Sequence, residues 1–288
     1  MQSSPAERLR NLLTDPGILI MPCCFDAFSA RMIERAGFPL TFMSGFAVSA
    51  ARLGLPDTGL ISFAEMLDQG RNICSAVSIP VFGDGDTGYG NALNAKRTVR
   101  EYVRAGFAGI MIEDQVAPKR CGHTRGKQVV SFDEACQRLR AAVDARDEGA
   151  DIVIMARTDA RETDGFDEAM RRMRAFAEMG ADIQFLEAPR TEQEMCDFCT
   201  GVPGPKMANM VEQGATPVLP PDRLAEIGYK IAAYPLTLLL AAIPAFERAL
   251  KSLAEGKSPE ELATFADLQD VVGFPEYFEA EKRYSTDS

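Results

Sequence analysis

The chain has 288 residues, of which 46% are hydrophobic and 25% are charged, with a formal net charge of -11 at pH 7. This length suits one large α/β barrel or two smaller domains. The acidic balance argues against a nucleic-acid partner and an anionic membrane surface, although a local arginine or metal ion can still draw an anionic substrate into a cleft.

The start of the chain lacks the basic segment and apolar run of a signal peptide. Seven cysteines at irregular spacing favour reduced thiols, and no apolar stretch is long enough to span a bilayer. We therefore predict a cytoplasmic protein.

Short apolar runs alternate with helical patterns along most of the chain. The predicted strands are Ile18–Met21, Leu40–Met43, Ile79–Phe82, Gly109–Ile112, Ile152–Met155, Ile183–Leu186, Lys206–Ala208 and Lys230–Ala233. The predicted helices between them are Ser29–Ala36, Phe63–Ser75, Ala92–Ala105, Phe132–Arg146, Phe166–Met179, Glu192–Thr200 and Asp222–Ile227. Eight buried strands that alternate with helices predict a closed (β/α)8 barrel of the TIM type.

Further helical patterns follow the eighth strand, at Leu236–Glu255, Leu262–Val272 and Tyr277–Tyr284. A barrel does not need them, and such an appendage is commonly a clasp on a neighbouring subunit or a lid. We predict a single barrel domain over residues 1–288, in which 256–288 form a C-terminal helical extension.

Chemically useful residues follow six successive predicted strands. They are Ser44 and Gly45, Asp84 and Asp86, Glu113, Arg157 and Asp159, Glu187, and Asn209. Active sites of (β/α)8 barrels lie at the carboxyl ends of the strands, so these residues predict a site at the barrel mouth.

Asp84 and Asp86 alternate with glycines, and Glu113 ends the next predicted strand. Such carboxylates suit a hard divalent cation, and Mg²⁺ takes one or two of them directly while it keeps several waters. The alternative is a polar loop that caps the following helix. Glycines on both sides, and acids after adjacent strands, favour the metal site.

Cys121 lies in a loop between Arg120 and Gly122, with Lys119 and His123 close by. Neighbouring cations lower the pKa of a thiol and make it a usable acid or nucleophile. His123, the chain's only histidine, is a second candidate acid or base, or it orients the loop. An inert buried cysteine is the alternative for Cys121.

Arg157 stands at the end of an apolar strand, where its charge requires a partner. It can bind a carboxylate with two parallel hydrogen bonds. An ion pair with Glu113 or Glu187 is the structural alternative, and a substrate carboxylate could join such a network.

Several motifs together resemble the isocitrate lyase and phosphoenolpyruvate mutase superfamily, from about Leu9 to Tyr284. They are Ser44-Gly45, Leu55-Pro56-Asp57, Gly83-Asp84-Gly85-Asp86-Thr87-Gly88, Glu113-Asp114-Gln115, Lys119-Arg120-Cys121-Gly122-His123 and Ala156-Arg157-Thr158-Asp159-Ala160. The Lys-Arg-Cys-Gly-His loop is typical of the carbon–carbon lyase branch.

The resemblance implies Mg²⁺, with Mn²⁺ as a substitute, held by Asp84 and Asp86 with help from Asp57 and Glu113 through water. It implies a substrate pocket lined by Ser44, Gly45, Phe46, Gly122, Arg157, Glu187 and Asn209. Cys121 would protonate the departing carbanion-like acid, with His123, Arg157 and Glu113 as further catalytic residues. The family also implies a homotetramer, a dimer of dimers in which the last helix is exchanged between subunits.

Departures from the family pattern bear on the substrate. Methylisocitrate lyases, as the resemblance aligns them, carry arginines where this chain has Leu240 and Phe265, and a tyrosine where it has Phe42. Without those cations, nothing offsets desolvation of a third carboxylate. The segments Ser44–Ala50, Asn209–Glu212 and Ala263–Phe265 resemble instead the group of 2,3-dimethylmalate lyase, oxaloacetate hydrolase and petal-death protein.

We therefore predict a Mg²⁺-dependent lyase that cleaves the C2–C3 bond of a substituted malate to a 2-oxo acid and a carboxylic acid. The alternatives are, in order, hydrolysis of oxaloacetate to oxalate and acetate, 2-methylisocitrate cleavage, and P–C chemistry on a phosphonate. A catalytically silent barrel belongs to a different class, and the acids, the arginine and the thiol argue against it.

Overall fold

Eight parallel strands form the barrel in the computed structural model, which describes residues 3–120 and 126–285. They are β1 Leu19–Cys24, β2 Thr41–Met43, β3 Val81–Asp84, β4 Gly109–Glu113, β5 Val153–Thr158, β6 Ile183–Leu186, β7 Met207–Asn209 and β8 Ile231–Tyr234. Their order in the sheet is β6-β5-β4-β3-β2-β1-β8-β7, and a parallel bridge between Gln184 and Lys206 joins the two ends. The predicted (β/α)8 barrel is confirmed.

The helices are α1 Pro5–Thr14, α2 Ala27–Arg35, α3 Gly45–Val48, α4 Phe63–Ala76, α5 Ala92–Ala105, α6 Phe132–Asp147, α7 Ala160–Thr163, α8 Phe166–Glu178, α9 Glu192–Gly201, α10 Pro221–Ile227, α11 Thr237–Ala254, α12 Phe265–Val271 and α13 Phe274–Tyr284. A π-helix at Ser49–Leu53 continues α3. The sequence patterns did not predict α3, α7 or the π-helix, because each is too short to show a helical period.

Strands β3, β4 and β5 are buried on both faces, as expected when helices surround a closed sheet. Inside the barrel, Met21, Phe42, Phe82 and Met111 belong to one apolar cluster. Gly109 on β4 makes room for Phe82, since a Cβ at position 109 would lie 2.2 Å from the Phe82 ring. Close packing of this kind fixes the register of β3 against β4, and hence the positions of their carboxyl ends.

The chain divides into two compact units, Met1–Thr237 and Leu238–Ser288. The predicted extension, residues 256–288, lies within the second unit. The second unit also contains almost all of α11, a helix with no buried side chain. No helix among the described residues combines the length and hydropathy needed to cross a bilayer.

Candidate active site

The carboxyl ends of β3 and β4 carry the acidic cluster. Asp84 ends β3 and Glu113 ends β4, and both are buried together with Asp86. The Asp84 carboxylate accepts hydrogen bonds from the backbone N–H of Gly45 at 3.1 Å and of Asp86 at 3.0 Å. These two bonds orient the Asp84 side chain.

The acidic cluster depends on the backbone conformation at two residues, Gly45 and Asp86. A Cβ at Gly45 would lie 2.5 Å from Asp84 Oδ2, so only glycine lets the backbone approach the carboxylate this closely. Asp86 adopts φ +47°, a left-handed conformation that aspartate and asparagine tolerate better than other side chains.

Lys119 inserts its ammonium group between two of the acids. Its Nζ lies 2.6 Å from Asp57 Oδ2 and 2.9 Å from Asp86 Oδ1, and its side chain is 6% exposed. The contact with Asp86 lacks hydrogen-bond geometry, so Asp86 Oδ1 has an ion pair but no hydrogen bond from a described residue. From the sequence, Lys119 was a predicted neighbour of Cys121, and its ion pairs with Asp57 and Asp86 were not predicted.

Burial raises the pKa of three carboxyl groups in the cluster. For Asp84 it acts with the nearby Asp86 charge, and the pKa reaches about 7. Burial also raises the pKa of Asp57, even though Lys119 partly offsets it, and it holds the pKa of Glu113 well above its usual range against the opposing effect of Arg157. Each of these raised pKa values favours the protonated acid. The positive charge around the cluster is therefore too small to offset the cost of burying its carboxylates.

Arg157, on β5, lies at the centre of a second network. Its guanidinium group donates to Asp159 at 2.8 and 3.0 Å, and it lies 3.3 Å from Glu113 and 3.2 Å from Glu187. It also stacks over the Phe185 ring at 5.3 Å. Both partners expected for Arg157, Glu113 and Glu187, are therefore present. Asp159 is a third partner and makes the shortest contact.

Asp159 receives a second cation, Lys127, whose Nζ donates to it at 2.9 Å. Burial alone would raise the pKa of Asp159, but Arg157 and Lys127 together lower it well below its usual range. Asp114 faces the opposite way and binds Thr158, the Asp159 backbone and Arg172. It therefore holds the end of β5 in place and does not point into the cavity.

A cavity of about 200 Å³ opens among the strand ends. Its polar and charged lining consists of Ser44, Asp57, Asp84, Arg120, Arg157, Glu187 and Asn209. Its apolar lining consists of Cys23, Phe42, Phe46, Met111, Phe185, Met207, Val211, Ala233, Pro235 and Leu236. This volume is below the range of about 300–1,000 Å³ for drug-sized ligands, so the cavity suits a small molecule.

The acidic cluster fits a hard cation in its donor chemistry. Asp84 and Asp86 offer carboxylates, and Glu113 Oε1 is buried without a hydrogen-bond partner among the described residues. Within 3–120 and 126–285, no three acid, histidine or cysteine side chains converge closely enough to enclose a metal ion. Two direct carboxylates are sufficient for Mg²⁺, which keeps several water ligands.

The structure brings most of the predicted site residues together. Ser44, Phe46, Asp57, Asp84, Arg157, Glu187 and Asn209 line the cavity. Gly45 binds Asp84 through its backbone, while Glu113 pairs with Arg157 and Asp86 pairs with Lys119. Cys121, Gly122 and His123 lie outside the described residues. The ion pairs of Lys119 with Asp57 and Asp86, and of Lys127 with Asp159, were not predicted. The only sequence signal for them was the position of the two lysines on either side of the Cys121 loop.

Residues 9–254 match the family described as phosphoenolpyruvate phosphomutase. The chain is 42% identical to 2,3-dimethylmalate lyase of Eubacterium barkeri, over 98% of both proteins. The chain belongs to the phosphoenolpyruvate mutase and isocitrate lyase superfamily. The resemblance in the motifs is thereby confirmed, and because the relatives are lyases and mutases, this member of the superfamily is an enzyme.

Other members of the superfamily are about equally similar. Carboxyvinyl-carboxyphosphonate phosphorylmutase of Arabidopsis thaliana is 42% identical, over 96% of this chain and 84% of the relative. The 2-methylisocitrate lyase of Aeropyrum pernix is 40% identical, over 95% and 90%. Identity alone therefore does not select one reaction of the superfamily.

Solved structures of the superfamily share the whole fold. Oxaloacetate acetylhydrolase in complex with 3,3-difluorooxalacetate superposes with a TM-score of 0.93 at 34% identity, over 97% of this chain and 96% of that one. A 2,3-dimethylmalate lyase superposes with a TM-score of 0.93 at 35% identity, over 98% and 96%. A phosphonopyruvate hydrolase solved with oxalate and Mg²⁺ has a TM-score of 0.86 at 29% identity, over 98% and 99%.

Proposed function

We propose that this enzyme is a Mg²⁺-dependent lyase that cleaves the C2–C3 bond of a substituted malate, such as 2,3-dimethylmalate, into a 2-oxo acid and a carboxylic acid. One observation carries the proposal: the cavity is lined by charged and polar groups together with a larger set of apolar side chains, the apolar wall. The polar groups match the carboxylates of a small dicarboxylate. The apolar wall matches alkyl groups on the carbon that leaves.

The cations of the cavity favour a dicarboxylate over a tricarboxylate. Among the described residues that line the cavity, the cationic ones are Arg120 and Arg157, and Arg157 is already paired with Glu113, Asp159 and Glu187. With Mg²⁺ on the C1 carboxylate, a third substrate carboxylate would have to share these arginines with protein carboxylates, which is unfavourable in a mostly apolar cavity. Leu240 and Phe265 agree with this, because the family resemblance places arginines there in methylisocitrate lyases.

Arg157 would bind a substrate carboxylate through the part of its guanidinium group that the network leaves available. Its hydrogen bonds to described residues come from Nε and Nη2, and Nη1 donates none. Asp159, Glu113 and Glu187 hold the group in place and limit its rotation. Ser44 and Asn209 supply a hydroxyl and an amide for the remaining substrate oxygens, while Asn209 also donates to Glu187 at 3.3 Å.

Phe46, Met207 and Val211 would contact the substituents on C3 and exclude water from the breaking bond. Cys121 would deliver the proton to C3 of the leaving acid, and the cations beside it in the sequence support a thiol that can exchange its proton. His123 would act as a second acid or base, or orient Cys121 and Gly122 toward the substrate.

Asp84 and Asp86 would hold Mg²⁺ directly, and Asp57 and Glu113 would act through water. Mg²⁺ would supply positive charge that holds the C1 carboxylate and stabilises the C2 oxygen once its hydroxyl proton has been lost; the electron pair of the C2–C3 bond then leaves with C3 as the C2 oxygen becomes a carbonyl. The phosphonopyruvate hydrolase structure with oxalate and Mg²⁺ supports this choice of ion for the fold.

Hydrolysis of oxaloacetate is the second candidate, because an oxaloacetate acetylhydrolase superposes on this chain with a TM-score of 0.93. Water would attack C2 and lose a proton, the C2–C3 bond would break to leave oxalate, and C3 with its carboxylate would leave as the acetate carbanion and take a proton from Cys121. The apolar wall favours the substituted substrate, since oxaloacetate carries no alkyl group on C3.

An NMR assay with Mg²⁺ on a substrate panel tests the proposal. The panel contains dimethylmalate, other alkylmalates, 2-methylisocitrate, oxaloacetate and phosphonopyruvate. We expect pyruvate and propionate from dimethylmalate. Oxalate and acetate from oxaloacetate would instead assign the hydrolase reaction, and efficient turnover of 2-methylisocitrate with none of any malate would overturn the lyase proposal.

Mg²⁺ and oxalate together should raise the melting temperature more at about pH 8 than at about pH 6. The pKa of Asp84 is about 7 in the metal-free protein, and the cation binds only its ionised form. Affinity should therefore fall about tenfold for each pH unit below 7 and change little above 7. Asp86→Asn, whose side chain tolerates the left-handed backbone, is the control and should lose the rise in melting temperature at both pH values. An equal rise for the wild type at both pH values would contradict the role of Asp84.

A homotetramer built from helix-exchanging dimers is the assembly we propose. Along α11, apolar side chains recur every three or four residues, and all of them are at least 44% exposed: Leu240, Ile243, Phe246, Leu250 and Leu253. A single chain rarely leaves such a row uncovered, and a second copy of this chain would bury it.

A further inference from the structure

Lys119 has no place in the proposed chemistry, although it is the cation in closest contact with the acidic cluster. Its ammonium group is 2.6 Å from Asp57 and 2.9 Å from Asp86, which come from the loops after β2 and β3. Both carboxylates are buried, with side chains 3% and 6% exposed. A buried ammonium group persists only when its partners offset the loss of hydration.

A divalent cation held by the Asp86 carboxylate would lie close to the ammonium group. Mg²⁺ binds carboxylate oxygens at about 2.0–2.1 Å. Asp86 Oδ1 already lies against Lys119 Nζ, so an ion bound to that oxygen would bring two positive charges within a few ångströms of each other. The two cations are therefore alternatives at Asp86.

We propose that Lys119 is the internal counter-ion of the metal site: it bridges Asp57 and Asp86 in the metal-free enzyme, and a divalent cation displaces it from Asp86. After displacement, the shorter contact with Asp57 retains the ammonium group beside the site. Lys119 is thus a positioning residue that keeps the acids together without metal and lowers the affinity for metal. This inference rests on the proposed Mg²⁺ site.

The test measures Mn²⁺ affinity without substrate, by the electron paramagnetic resonance signal of free Mn²⁺. The variants are Lys119→Met, which removes the charge and keeps the chain length, and Lys119→Arg, which keeps the charge. Lys127→Met is the matched control, because Lys127 is equally buried and ion-paired at 2.9 Å, but its partner is Asp159. Lys119→Gln is a second neutral variant with a polar end that can still contact Asp57.

We expect Lys119→Met and Lys119→Gln to bind Mn²⁺ about tenfold tighter than the wild type or better, because a competing charge is gone. Lys119→Arg should bind Mn²⁺ with about the wild-type affinity. Lys127→Met should change the Mn²⁺ affinity less than about threefold. In addition, Mg²⁺ should raise the melting temperature of Lys119→Met more than that of the wild type.

Equal or weaker Mn²⁺ binding in both neutral variants would overturn the proposal while leaving the metal site standing. The same gain in Lys127→Met would also overturn it, since the effect would then come from net charge and not from contact with Asp86. Absence of Mn²⁺ binding in every protein, with or without oxalate, would overturn the metal site itself and this inference with it.

Discussion

Replacement of Arg157 by glutamine should both destabilise the enzyme and abolish most of its turnover. Three buried carboxylates, those of Glu113, Asp159 and Glu187, would lose their shared partner. Removal of one member of a buried ion pair typically costs about 3–5 kcal/mol, because the other charge stays buried. Turnover should fall by about 100-fold or more, since the same group would bind the substrate carboxylate. Urea denaturation and the dimethylmalate assay measure the two effects.

Two further variants separate the causes. Arg190→Gln removes an ion pair with Glu162 whose side chains are 52% and 43% exposed, and it should cost less than about 1 kcal/mol. Arg157→Lys keeps the charge but loses the planar fork, so it should recover part of the stability and little of the turnover. Near-wild-type activity in Arg157→Gln would remove Arg157 from substrate binding.

The positions of the site residues could be predicted because the active site of a parallel barrel lies at the carboxyl ends of its strands. Asp84, Glu113 and Asn209 end their strands, and Arg157 lies one residue before the end of β5. The alternation of buried strands and helices is a strong signal, and it fixes which end of each strand faces the site. Chain order and period were therefore enough to bring these side chains to one cavity.

The ion-pair pattern could not be predicted in the same way, because it depends on side-chain direction. Asp114 belongs to the Glu113-Asp114-Gln115 motif, yet it binds Thr158 and Arg172 on the outer side of the strand ends. Lys119 follows β4 by six residues and contacts acids from two other loops. Distances of this kind follow from loop geometry, for which residue type and spacing carry little information.

The short elements at the site are a further case. Helix α3 and the π-helix that continues it span only Gly45–Leu53, and they carry the backbone N–H that orients Asp84. π-helices are short insertions that often occur at functional sites, and they are too short for a hydrophobic pattern in the sequence to predict them. Gly45 was predicted as a substrate-binding residue, and the contact that the structure gives it is with Asp84.

Replacement of Cys121 by serine should leave binding intact and remove most of the chemistry. A hydroxyl is a far weaker acid than a thiol, and loss of a general acid typically costs about 10²–10⁴-fold in turnover. The variant should retain the melting-temperature rise with Mg²⁺ and oxalate, since Asp84 and Asp86 are unchanged.

Cys136→Ser is the matched control for this variant, because Cys136 lies on α6 and does not line the cavity. It should keep wild-type turnover and the same response to Mg²⁺ and oxalate. If Cys121→Ser also keeps wild-type turnover, the proton reaches C3 from another group, and His123 becomes the first candidate. If it loses the response to Mg²⁺ and oxalate as well, Cys121 contributes to binding, and its loss of turnover no longer identifies a proton donor. Only lost turnover with retained binding assigns the thiol to the proton transfer.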